Sequence, residues 1–100
     1  MLTRVCYLYR DASNYKFWGQ FVLDGAITRD DLAPYLADGE WFVPEMVGLA
    51  SLRPCDWTER DHFFHELHEF EPVSEGEPLC TATSFVMRMI RMQKQGYFPV

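Results

Sequence analysis

Residues 61–70 read Asp61-His62-Phe63-Phe64-His65-Glu66-Leu67-His68-Glu69-Phe70, and the fold turns on whether this run is a helix or a strand. At about 3.6 residues per turn, Phe63, Phe64, Leu67 and Phe70 fall within one arc of about 120°, with His62, His65 and His68 elsewhere, the pattern of an amphipathic helix. As a strand, Phe64 and Phe70 share one face, and Phe63, Leu67 and Val73 share the other. Periodicity alone favours the helix.

The same choice governs the chemistry. Imidazole and carboxylate are ligands of many zinc and iron sites. On a helix, His62, His65 and Glu69 lie within about 60° of one another and are candidate metal ligands, with Glu66 nearby. On a strand, His62, Glu66 and His68 share one face, and His65 and Glu69 the other. His65-Glu66-Leu67-His68 is not the H-E-x-x-H of a zinc protease, because the second His comes three residues on. Exposed His beside acids is the simpler account, and a pH-sensitive surface is a further one, since nearby carboxylates favour the protonated imidazole.

Around this run the chain is acidic. Asp56, Glu59, Asp61, Glu66, Glu69, Glu71, Glu75 and Glu77 against the single Arg60 give residues 56–77 a formal charge of −7, and the remainder sums to +1. A block of this kind repels phosphate and steers basic protein partners, so the expected ligand is a protein and not a nucleic acid, and Glu69, Glu71 and Glu75 are candidate partner-binding residues. A solvated face that keeps the protein in solution is the competing account.

Toward the N-terminus, Val5-Cys6-Tyr7-Leu8-Tyr9 has the residues of a strand. Asp11-Ala12-Ser13-Asn14 is a cluster of turn formers, and Tyr15 to Leu23 resumes as a second strand, so the pair predicts an antiparallel hairpin. Gly19 marks a bulge or a close approach. Ile27 to Leu32 predicts a helix start, with Thr28 and Asp31 as a capping box and Ile27 stapled onto Leu32. Pro34 conflicts with a long helix from Thr28, and a start at Asp31 relieves the conflict by placing Pro34 in the first turn. Either register gives a short helix that stops at Gly39. Glu40 to Val43 predicts a short strand broken by Pro44, with Val47-Gly48-Leu49 extended or irregular. Toward the C-terminus, Phe85, Val86, Met89, Ile90 and Met92 share one helix face and Arg88, Arg91 and Lys94 the other, with Thr81 or Thr83 as cap and Gly96 as the stop.

No nucleophile stands out. Cys6 lies in an apolar strand and Cys55 in an acidic loop, and the acids Glu75 and Glu77 oppose activation of Cys80. The 100 residues fit a single domain spanning 1–100. No apolar stretch is long enough to span a bilayer, and Met1 to Tyr9 lacks a signal peptide's core. Three widely spaced cysteines without a C-x-x-C pair fit reduced thiols and a cytoplasmic location. Sixteen aromatic residues exceed what so small a core encloses, leaving an aromatic rim suited to protein contact.

Three segments, Tyr9-Arg10-Asp11-Ala12-Ser13-Asn14-Tyr15-Lys16, Asp38-Gly39-Glu40-Trp41-Phe42-Val43-Pro44 and Asp61-His62-Phe63-Phe64-His65-Glu66-Leu67, resemble in this order a group of small uncharacterised bacterial proteins with a Y-x-D-A-S-N-Y-K opening and a later D-H-x-x-x-E-L segment. The resemblance covers residues 7–72. It implies a compact bacterial domain with no catalytic activity or cofactor attached, and an extended conformation at Phe63 to Phe70, which is adopted here. It also draws together a candidate polar cluster of Tyr9, Asp11, Asn14 and Lys16 with Asp61, His62, His65 and Glu66.

The resulting expectation is an α+β domain: an antiparallel sheet of three or four strands packed with two helices, the C-terminal one covering a sheet face through Phe85, Met89 and Ile90. The expected function is that of a small acidic interaction or regulatory protein that binds a partner protein, with an inhibitor from a mobile element as one version and a homodimer compatible with the exposed aromatics. The alternative is a metal-dependent or acid–base enzyme built on the cluster at 61–69.

Overall fold

A computed structural model describes residues 1–53 and 64–97. The chain opens with a hairpin of β1 (Leu2–Arg10) and β2 (Lys16–Asp24), antiparallel in unbroken register from Leu2↔Asp24 to Arg10↔Lys16. Its turn is built by Asp11, whose Oδ1 accepts from the Ser13 and Tyr15 amides, each at 2.9 Å, while Asn14 takes the left-handed conformation (φ 67°) that Asn tolerates. Gly19 of β2 is a close approach, with no bulge: a Cβ there would lie 2.9 Å from both Leu52 Cδ2 and Tyr7 Cε1.

The deciding run is a strand, β4 (His65–Val73), antiparallel to β1. Val5 pairs with Phe70 and Tyr7 with Leu67, so Cys6 alone stands across from both His68 and Glu69. This β-bulge explains the misleading periodicity. Thr3, Val5, Tyr7 and Tyr9 of β1 are buried on one sheet face, and the extra residue in β4 lets Leu67 and Phe70, three apart, both meet that face. A strand carrying one bulge thus reproduces the i, i+3 spacing of a helix.

The sheet has five strands, ordered β3-β4-β1-β2-β5, and is mixed, which corrects the expected all-antiparallel sheet of three or four. β3 (Trp41–Phe42) pairs antiparallel with His65 and Glu66. β5 (Cys80–Thr81) runs parallel to the end of β2. Two residues carry no readable alternation; what aligns β5 is the incoming chain, where the Leu79 amide bonds Val22 O at 2.8 Å.

Helix α1 (Arg29–Leu32) starts at Thr28, whose amide bonds Asp31 Oδ2 at 2.8 Å, and Ile27 and Leu32 are both buried. The chain then tightens to a 3-10 turn over Ala33–Tyr35, so Pro34 deletes no α-helical bond. A second 3-10 turn, Pro44–Val47, follows the break at Pro44, whose fixed φ suits the first turn; of the stretch expected to be extended or irregular it takes up Val47 alone, and Gly48 and Leu49 follow as a turn and irregular chain. Helix α2 (Ala82–Lys94) is capped by Thr81, whose Oγ1 accepts from Ser84 N at 3.0 Å. It packs Phe85, Met89 and Met92 into the core, Phe85 meeting Phe21 with ring centroids 5.1 Å apart, while Ile90 is only half-buried. Arg88, on the basic side, bonds Val47 O at 3.0 Å and ties the second 3-10 turn to the helix.

Deleting Glu69 should restore a strict two-residue alternation with the same residues inward. The shortened chain is therefore expected to fold and unfold cooperatively in thermal melts followed by circular dichroism, and a chain that stays unfolded would show that the bulge does more than set which side chains face the core.

Candidate functional site

Strand alternation divides the polar cluster. His65 lies fully buried on the core face, among Tyr9 (ring centroids 5.0 Å), Tyr7 (6.1 Å) and Phe42 (6.2 Å). Its Nε2 accepts from the Leu52 amide at 3.0 Å, and an accepting nitrogen carries no proton. Tyr7 Oη donates to Ala50 O at 2.8 Å. Together these two rings clamp residues 50–52 over Gly19. Burial raises the Tyr7 phenol above its ordinary pKa, and the Glu45 carboxylate adds to the effect.

Glu66, the next residue, faces the other way. Its Oε2 accepts from Arg10 Nε at 3.0 Å, and Arg10 also donates to Asn14 Oδ1 at 2.7 Å. Asp11 serves the turn, and Lys16 is exposed at the foot of β2. The cluster is thus a buried Tyr9–His65 pair and a surface Glu66–Arg10–Asn14 chain on opposite faces; Asp61 and His62 lie outside the described residues. Of the candidate metal ligands, His65 is buried and hydrogen-bonded, and Glu69 stands exposed at the bulge, so the helical side that would have gathered them is not formed.

The acidic stretch is partly neutralised. Glu71 pairs with Arg4, as Glu66 does with Arg10, whereas Glu69, Glu75 and Glu77 are exposed. Beside this strand a groove of about 540 Å³ runs between β4 and the chain leading into α1. Met1, Ile27 and Phe70 give it an apolar lining, and His68, Glu71 and Asp30 are among its polar groups. The sequence reading missed it because its walls come from positions far apart in the chain and meet only once β1 has paired with β4. Its one local signal is Ile27, an apolar residue just before a helix cap.

Compared with known proteins, the chain matches no family model, no curated protein and no solved structure. Among the described residues, no helix is long and apolar enough to cross a membrane.

Replacing His65 by Phe leaves the half-buried Leu52 amide without its acceptor, at a cost of up to about 1–3 kcal/mol, the range for a fully buried donor. His65→Gln, which retains an accepting oxygen, is expected to recover part of that loss in denaturant unfolding curves. A raised phenol pKa also sets a sign at alkaline pH. Tyr7 contributes fully below the ordinary phenol value, and its contribution is lost as pH climbs above it, because the unfolded chain gives up its proton first. Stability should therefore fall above about pH 10, and less steeply in Tyr7→Phe.

Proposed function

We propose that this chain is a small interaction protein whose groove beside β4 receives an apolar side chain from a basic protein segment. The observation that carries the reading is the combination of an apolar lining of Met1, Ile27 and Phe70, with Asp30 and Glu71 among its polar groups, and two exposed carboxylates of the acidic stretch, Glu69 next to Phe70 in the strand and Glu75 farther along the chain. An apolar centre with a charged rim is the usual composition of a protein-binding patch, and the acidic field speeds encounter with a basic partner. The bacterial setting follows the resemblance of the opening motif.

The version in which carboxylates occupy a nucleic-acid site on a target draws less support. Glu66 and Glu71 are already engaged by Arg10 and Arg4, which leaves less free negative charge along the strand. The acid–base enzyme draws less still, because His65 and Glu66 point to opposite faces and cannot share one substrate atom.

Affinity capture from a bacterial lysate with the wild type and with Glu69→Lys/Glu75→Lys tests the proposal. The charge-reversed protein is expected to lose a partner that the wild type releases at raised salt, since exposed charges are screened. Identical partner profiles would remove the groove and its acidic rim from consideration.

A further inference from the structure

The two long edges of the sheet are treated differently. Along β4, β3 covers His65 and Glu66, and the remainder carries a bulge, the acids Glu69 and Glu71, and Pro72, which are devices that discourage strand addition. Along β2, Leu79 and β5 cover Val22 to Asp24 only. The rest, Lys16-Phe17-Trp18-Gly19-Gln20-Phe21, holds no proline, no bulge and a single charge.

Backbone direction on this edge follows from two bonds. Asp11 N–H reaches Tyr15 O, so the groups of Tyr15 point toward β1, and Leu79 N–H reaches Val22 O, so those of Val22 point away. Strict alternation between them puts the N–H and C=O of Lys16, Trp18 and Gln20 on the outer edge. Among the described residues nothing pairs with them. Trp18 is 52% exposed and Phe17 36%.

We infer that this edge is a self-association surface, and that its occupant is the β2 strand of a second copy in antiparallel pairing about a two-fold axis at Trp18. In that register Lys16 meets the partner's Gln20, Trp18 meets the partner's Trp18, and Gln20 meets the partner's Lys16, each pair exchanging both backbone bonds. No other antiparallel register uses all three outward residues of both strands. It places no like charges opposite one another and sets the two indoles side by side across the strands. The contact is isologous and closes on itself, so it yields a dimer and not a fibre. It goes beyond the groove reading, since the β4 groove lies across the sheet from this edge.

The test exploits the residue on the axis. In sedimentation equilibrium at micromolar to submillimolar concentration, the wild type is expected at twice the 11.8 kDa of one chain. Trp18→Lys and Trp18→Glu, each placing like charges face to face, are expected at half that mass, and an equimolar mixture of the two should regain the doubled mass through a Lys–Glu pair. Hydrogen exchange of the wild type needs no variant: the Lys16, Trp18 and Gln20 amides should lose protection on dilution. A wild type that is monomeric throughout, or charge variants that keep the doubled mass, would overturn the inference. Glu69→Lys/Glu75→Lys should leave the mass unchanged, which keeps this outcome separate from that of partner binding.

Discussion

Along β4 the core keeps hold of His65, Leu67 and Phe70 because two residues, His68 and Glu69, share the interval across from Cys6. Paired in strict register with no bulge, this same sequence would turn either its first half or its second away from the core, since pleating reverses a side chain's face at every step. β1 lies at the centre of the sheet and fixes the register of both long neighbours, so the step opposite Cys6 governs what β4 can offer on each side. On the core side it offers His65 to the segment at Leu52. On the outer side it offers Glu66 and Glu71 to Arg10 and Arg4, and it leaves Glu69 at the bulge in solvent.

Much of the architecture was legible from local chemistry. The hairpin followed from β-favouring residues on either side of Asp11-Ala12-Ser13-Asn14, the short helix from Thr28 and Asp31, and α2 from its apolar stripe and the Thr81 cap. Each of these signals lies within a few residues of what it specifies. The bulge is different in kind: it exists only relative to β1, and in isolation its spacing imitates a helix. β5 is shorter than any period, and its alignment comes from the Leu79–Val22 bond, which no local pattern announces. Residues near in sequence, such as His65 and Glu66, proved to be on opposite sides of the sheet, whereas Met1, Ile27 and Phe70, scattered along the chain, line one groove.

The histidine-rich run therefore carries two unrelated jobs. His65 is a fastening: with Tyr7 it holds residues 50–52 against the core face, where Gly19 leaves room for Leu52. His68 is a surface residue, edge-on to Trp18 with ring centroids 5.0 Å apart, and it also reaches the lining of the groove. That contact links the aromatic edge of β2 to the acidic side of β4 across the outer face of the sheet.

Thr81 belongs at once to the last rung of the sheet and to the first turn of the last helix: it pairs with Asp24, and its hydroxyl receives the Ser84 amide. Strand and helix are thus joined without a linker, and the helix inherits its rotational setting from the ladder. One residue more or less at this joint would turn α2 by about 100° and carry Phe85, Met89 and Met92 off the core together. The chain has no slack at this point, so the seating of the helix is a direct readout of the pairing between β2 and β5.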